Sequence, residues 1–272
     1  MKQAPRMPNG MPMTKTKNIN ISPGKKVFFV SDHHLGLDAE KDSLSREKLF
    51  VKWLDKIKPQ TQALFILGDL FDYWFEYKSA VPKGYVRLLG KLAEFTDDGI
   101  PVYFFTGNHD LWMRDYFQKE LQIPTYRKPQ IFEINRKKLL IGHGDGLGPG
   151  DRNYKRLKKL FTHPAAQFLY RWLHPDIGLP LIKYFSQKNK LVSGEYDKNF
   201  HGEDKEWLYL YAKNYLQKNP EIDYFVFGHR HLPLKMPINQ KSTYFNTGDW
   251  LEYFSFLEMD ERGEIHQKKA FL

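Results

Sequence analysis

The chain has 272 residues, 41% hydrophobic and 27% charged, the proportions of a globular protein large enough to bury a core. It has no cysteine, which excludes disulfides, thiolate metal sites and cysteine nucleophiles and fits a reducing cytosol; its longest apolar run, Trp207–Ala212, is far short of the roughly 18 residues a spanning helix needs. Net charge is +10, concentrated as +6 in Met1–Lys26 and +7 in Asp151–Lys190, so the rest of the chain carries −3. Such patches attract anions: nucleic acid, phosphorylated substrates or acidic lipid.

Residues 1–24, rich in Pro, Lys, Asn and Met without periodicity or an apolar signal region, read as a disordered basic tail. From Lys26 one pattern recurs five times: a short apolar run, a small residue, then His, Asp or Asn. Val27–Val30 leads to Ser31-Asp32-His33-His34, and Ala63–Leu67 to Gly68-Asp69. Val102–Phe105 leads to Thr106-Gly107-Asn108-His109-Asp110, Leu139–Ile141 to Gly142-His143-Gly144-Asp145, and Tyr224–Phe227 to Gly228-His229-Arg230-His231. Continuous apolar runs of this length predict strands buried on both faces.

Between them, Leu49, Phe50, Trp53, Leu54 and Ile57 share a helix face, as do Leu88, Leu89, Leu92 and Phe95, and later Trp207, Leu208, Tyr211 and Tyr215. Hairpins are expected at Phe132–Ile141 and Tyr253–His266. The result is a layered α/β protein with mixed sheets, its five polar clusters at the carboxyl ends of strands, where ligand sites form. Residues 151–190 break the rhythm as a basic, aromatic-rich helical insertion beside the site. The core is then 25–150 with 191–272.

Each cluster alone has an ordinary reading: Asp69 after Gly68 could cap a helix, and Asn108 could serve a turn. Five at five strand ends are different, because unpaired buried carboxylates and imidazoles are costly. His, Asp and Asn without sulfur suit Mn, Fe or Zn. Asp32 and His34, two apart on extended chain, can reach one ion. His229 and His231 flank a turn and can serve different ions. Asp69, alone after its strand, is the natural bridge between two ions.

Taken in order, D-x-H, G-D, G-N-H-D, G-H and G-H-x-H resemble the calcineurin-like metallophosphoesterases, from residue 27 to about 250. The resemblance implies a four-layer α/β/β/α sandwich with two mixed sheets. It places one divalent ion, Mn by family, on Asp32, His34, Asp69 and His231, and a second on Asp69, Asn108, His143 and His229. His109 would contact the scissile phosphate and Asp110 would orient it. Ser31–Gly36, Gly68–Asp72 with Trp74, Gly142–Asp145 followed by Asp151 and Tyr154, and Asn246–Trp250 are similar to UDP-2,3-diacylglucosamine hydrolases of lipid A synthesis. His109 stands where the best-known branch carries Arg, so the likeness is to the sister branch.

The substrate contacts implied are Asn108, His109, Asp151, Tyr154, Lys188, Lys190 and His231. The insertion would hold acyl chains on Phe161, Phe168, Trp172 and their neighbours and rest on an anionic membrane, a peripheral place on the cytoplasmic face of the inner membrane. The alternative is a metallophosphodiesterase acting on nucleotides or nucleic acid, although no nucleic-acid partner is expected.

Overall fold

The computed structural model describes residues 17–148, 152–193 and 199–271; within these, the side chains of 152–154, 157 and 185–193 fall outside the description. The chain opens with β1 (Lys17–Ile19) and β2 (Lys26–Val30), followed by α1 (Ser43–Ile57), β3 (Thr61–Ile66), α2 (Val86–Asp97) and β4 (Val102–Phe105). Next come α3 (Tyr116–Glu120), β5 (Thr125–Tyr126), β6 (Gln130–Ile134) and β7 (Lys137–Ile141). After α4 (Arg152–Phe161), α5 (Pro164–Tyr170), α6 (Pro175–Ser193) and α7 (Trp207–Lys218), the chain ends in β8 (Tyr224–Phe227), β9 (Pro233–Pro237), β10 (Thr243–Thr247), β11 (Ser255–Met259) and β12 (Ile265–Lys269).

Two six-stranded mixed sheets result, ordered β1-β6-β7-β8-β10-β9 and β12-β11-β2-β3-β4-β5. The alternation of side chains along each strand explains the layers. Val27 and Phe29 of β2, Ala63 and Phe65 of β3, Leu139 and Ile141 of β7, and Val226 of β8 meet in a core between the sheets. Their neighbours Phe28, Val30, Leu64 and Ile66 face the other way, onto Phe50, Trp53 and Leu54 of α1 and Leu88 and Leu92 of α2. On the far side Leu140, Phe225 and Phe227 pack on Leu208, Ala212 and Leu216 of α7. This is the four-layer α/β/β/α sandwich. Each fully buried aliphatic or phenyl side chain contributes about 1.5–3 kcal/mol of burial free energy, so the doubly covered central strands hold the strand ends rigidly in place.

One element departs from the sequence reading. Lys17–Ile19, assigned above to the disordered tail, is strand β1, paired in parallel with Phe132–Ile134 of β6. It is an edge strand with only Ile19 buried, so no apolar alternation announces it. Residues 1–16 of the expected tail lie outside the described residues. A second edge strand, β9, carries a proline at each end, which the edge of a sheet tolerates.

Helices α4, α5 and α6 occupy the insertion, and α6 continues three residues past the expected boundary at 190. Tyr170, Leu179 and Ile182 pack on Phe75, Leu111 and Trp112, which belong to the loops after β3 and β4. The Trp112 indole N–H donates to the carbonyl of Phe161 at 2.6 Å. Phe168, Leu169, Trp172 and Ile177 stay exposed, Trp172 by 77%. The apolar residues of the insertion thus divide into a docking set and an outward set. Among the described residues no helix is long and apolar enough to cross a membrane.

Candidate metal centre

The loops that leave β2, β3, β4, β7 and β8 converge at one end of the sandwich. Backbone hydrogen bonds link them directly: Asp32 N–H to Gly68 O, His34 N–H to Asp69 O, and Gly228 N–H to His143 O, at 2.9–3.1 Å. Close approach needs glycine. A Cβ on Gly68, whose φ is +89°, would lie 2.6 Å from Nδ1 of His143, and one on Gly107 would collide with the Asp69 carboxylate. Asp32, His34, Asp69, His229 and His231 themselves have φ between 46° and 70°. Holding a non-glycine residue there costs on the order of 1–3 kcal/mol, and such strain persists where the surrounding fold over-determines a functional geometry.

Those five, with Asn108 and His143, come together in two clusters. Asp32, His34 and His231 form one: Nε2 of His34 and of His231 are 3.3 Å apart, and Oδ1 of Asp32 is 3.4 Å from the latter. Asp69, His143 and His229 form the other, with Asn108 Oδ1 3.2 Å from Nε2 of His143. The histidines of Gly228–His231 are therefore divided between the clusters. Asp69 faces both: its Oδ2 lies 3.7 Å from His34 Nε2 and 3.4 Å from His143 Nε2, while Oδ1 accepts the His109 N–H at 2.9 Å.

Nitrogen and oxygen ligands bound at about 2.0–2.2 Å around one ion lie about 3.0–3.5 Å from each other, close to these separations. Oδ1 of Asp32 is buried and has no hydrogen-bond donor among the described residues, a costly state that a cation would relieve. The donor set fits two hard or borderline divalent cations sharing a carboxylate.

The outer atoms of the ligands are fixed as a metal site requires. Oδ2 of Asp32 takes hydrogen bonds from the Ser31 hydroxyl and the His229 N–H. Nδ1 of His143 meets the carbonyl of Leu67 at 2.7 Å, and Nδ1 of His231 meets Oδ2 of Asp249 at 3.3 Å. Buried Asp72 lies 3.5 Å from Nδ1 of His34. Electrostatics follow the geometry. Burial pushes the Asp69 carboxyl up, yet His143, His109 and His34 outweigh it and hold the group well below the usual carboxylate range. Burial lowers His143, but the Asp69 carboxylate pulls it up to about 10; burial and the charge on His143 push His229 down to about 3.

His109 sits at the mouth of the centre, its ring edge-on to His34 at 4.6 Å. Its Nδ1 lies 2.8 Å from the carbonyl oxygen of Asp72. Asp110 does not orient it, contrary to the expectation above. The Asp110 carboxylate instead accepts the N–H groups of Gly107 and Leu70, tying the loop after β4 to the one after β3. His33, in the same sequence cluster as Asp32 and His34, points away into the core between Phe50 and Trp250. Of the remaining expected substrate contacts, Asp151 lies outside the described residues. Tyr154, Lys188 and Lys190 are on α4 and α6, and their side chains lie outside the description.

Asp72, Asp249 and the pair Arg230–Glu206 support the site without being marked as functional in the sequence. The first two stand in the runs Gly68–Asp72 and Asn246–Trp250, so their signal was proximity to candidate ligands. Arg230, between the two histidines of its loop, is 2% exposed; Nε bonds Oε2 of Glu206 at 3.0 Å and the guanidinium covers the Trp207 ring. It also donates to the carbonyl of Asn199, where the chain returns from the insertion. Nothing in sequence links residues 24 apart in this way. Arg230→Met should cost about 3–5 kcal/mol by stranding the buried Glu206 carboxylate, and Glu206→Leu in the same chain should recover much of it. Thermal unfolding of the single and double variants checks this.

The sequence pattern of the calcineurin-like phosphoesterases matches residues 25–233. The chain belongs to that family. This phosphoesterase is 36% identical over 247 residues to the UDP-2,3-diacylglucosamine hydrolase of Porphyromonas gingivalis, covering 86% of this chain and 94% of that protein. The protein of the same name from Haemophilus influenzae is 28% identical over 249 residues, covering 89% and 98%. Among solved structures, a dimetal phosphatase from Danio rerio aligns over 92% of this chain and 100% of its own, with 12% identity and a TM-score of 0.45.

Proposed function

We propose that this phosphoesterase hydrolyses the pyrophosphate of UDP-2,3-diacylglucosamine to UMP and 2,3-diacylglucosamine 1-phosphate, in lipid A synthesis. What carries the reading is the likeness to the Porphyromonas hydrolase along 94% of that protein, in a chain whose candidate ligands all meet around Asp69. Asp32, His34, Asp69 and His231 would hold one cation, and Asp69, Asn108, His143 and His229 the other, with Mn the expected metal. When bound, the pair acidifies water so that a nucleophile exists at neutral pH and offsets charge on the phosphoryl oxygens.

The chain's own residues do the rest. Asp72 fixes the His109 ring through Nδ1, which presents Nε2 to the phosphoryl group or the leaving oxygen, there to hold charge or deliver a proton. Asp249 and Leu67 set the ring orientations of His231 and His143, so no reorganisation is needed as charge develops. Trp112, three residues on from His109, packs with Phe75, Leu111 and, from the insertion, Tyr170 in one apolar cluster. The outward set, Phe168, Leu169, Trp172 and Ile177, with Lys155, Lys159 and Arg171 nearby in sequence, suits acyl chains and the anionic inner face of the membrane.

Two measurements test the reading. Mn-loaded protein incubated with UDP-2,3-diacylglucosamine should release UMP and the sugar 1-phosphate, identified by mass spectrometry; UDP as product, or no turnover, would refute it. Phe168→Ala with Trp172→Ala should raise KM for the diacylated substrate about 10–100-fold more than for a short-chain analogue, the equivalent of one or two buried side chains. Equal losses on both substrates would mean that these residues only support the fold.

A further inference from the structure

The polar cluster after β7 does not end at His143. Two residues on, Asp145 carries a carboxylate that belongs to neither ligand cluster, yet the residue is only 7% exposed. Gly144 turns the chain between them at a φ of +121°, and a Cβ there would lie 2.9 Å from Cδ1 of Leu208 on α7. The backbone of the turn is therefore closely packed, and Asp145 is kept beside the second cluster. Burial raises its carboxyl, but His143, Lys158 and His229 outweigh that and hold it below the usual carboxylate range.

A carboxylate in this position is a ready ligand for a divalent cation, and a charged oxygen binds one more strongly than the amide oxygen of Asn108 does. It is engaged elsewhere. Lys158 of α4 faces it, with Nζ paired to Oδ2 of Asp145 and 3.3 Å from its backbone carbonyl oxygen. One turn earlier on the same helix, Lys155 donates to the carbonyl of Gly148 at 2.7 Å. Both lysines belong to the insertion. The insertion thus meets the second cluster through a charge pair, apart from the apolar cluster that docks it on Phe75, Leu111 and Trp112.

We infer that Lys158 is a positioning residue for the metal centre: it holds the Asp145 carboxylate toward α4 and so keeps an extra ligand out of the second cluster. A catalytic ion needs an open position for a substrate oxygen, whereas a fully liganded ion serves only structure. Loss of the lysine leaves a buried negative charge beside a cation site, and rotation of the carboxylate toward the cation is then favoured. This role rests on the two-cation centre proposed above and is independent of which phosphoester or pyrophosphate is cleaved.

The test is titration of the full chain with Mn by calorimetry, comparing Lys158→Met, Asp145→Asn and the double variant with the parent, melting temperatures being recorded for each. The binding step lost in Asn108→Ala marks the second site. Lys158→Met should bind the second ion about fivefold or more tightly, because a cation has gone from beside the site and a carboxylate is released toward it. Asp145→Asn should bind it about fivefold or more weakly, since Lys158 then stands unopposed. The double variant should return to within about twofold of the parent, and Lys158→Arg, which keeps the pair, should match it. At saturating Mn, kcat of Lys158→Met on UDP-2,3-diacylglucosamine should fall about tenfold despite the tighter metal, as the open position is lost. A pair that only braces the fold would weaken the ion and lower the melting temperature in both single variants, and that result overturns the assignment. Unchanged Mn affinity in Lys158→Met also overturns it. Should Lys158→Met fail to fold, the double variant carries the test, and second-ion binding no tighter than in Asp145→Asn overturns the role. A parent that leaves UDP-2,3-diacylglucosamine untouched would refute the pyrophosphatase reading, while the opposed shifts in Mn affinity would still establish the role of Lys158.

Discussion

Asp69→Ala is expected to reduce turnover by more than about 10³-fold and to lower bound metal from two ions per chain to one or none. A single charge-stabilising donor is worth about 10²–10³ in rate, and Asp69 does more than one such donor. Its Oδ2 faces His34 on one side and His143 on the other, and its Oδ1 anchors the N–H of His109. Removing the side chain takes a shared ligand from both clusters and loosens the loop that carries Asn108 and His109. Asp69→Asn keeps the loop contact but loses the negative charge, so it should recover folding without recovering metal. Elemental analysis of dialysed protein, read together with initial rates, checks both variants. Two retained ions and near-parent turnover in the alanine variant would remove the basis for a shared carboxylate.

His109→Ala should behave in the opposite way. Metal content should stay at two ions while the rate falls by roughly 10²–10⁴, the range for a lost general acid or charge stabiliser. The reason is geometric: the His109 ring belongs to neither of the two clusters and is held by the carbonyl of Asp72, and only its backbone N–H reaches Asp69. The loss should fall on kcat, because a contact that strengthens as charge develops acts on the transition state. Asp72→Ala leaves that carbonyl in place and removes only a carboxylate 3.6 Å from Nδ1, so it should cost the rate less than His109→Ala does. Loss of an ion from the His109 variant would make that histidine a ligand instead.

Much of this architecture is legible in the sequence. Five runs such as Val27–Val30 and Ala63–Leu67 are apolar at every position, which happens when both faces of a strand are covered. What the runs do not show is which face meets which layer: Val27 and Phe29 enter the core between the sheets, while Phe28 and Val30 enter the helix-facing core. Edge strands such as Lys17–Ile19 and Pro233–Pro237 bury too little to leave a pattern.

The candidate ligands were legible because each follows a strand closely in sequence. Their supports were not, because those contacts join distant segments: Asp249 to His231, Glu206 to Arg230, Leu67 to His143. Asp110 illustrates the limit well. The family resemblance implied that it orients His109, whereas the local turn bends the carboxylate back onto the N–H groups of Gly107 and Leu70. His33 is similar, since it stands between Asp32 and His34 in sequence yet its ring enters the aromatic core against Phe50 and Trp250.

Anomalous diffraction from crystals grown with Mn shows directly whether two cations share Asp69. Two peaks roughly 3.5–4 Å apart are expected, the spacing of known two-metal sites. One should lie among Asp32, His34 and His231, the other among Asn108, His143 and His229, with Oδ2 of Asp69 between them. A single peak, or one centred among His34, Asp72 and His109, the third group of side chains close enough to hold an ion, would contradict it.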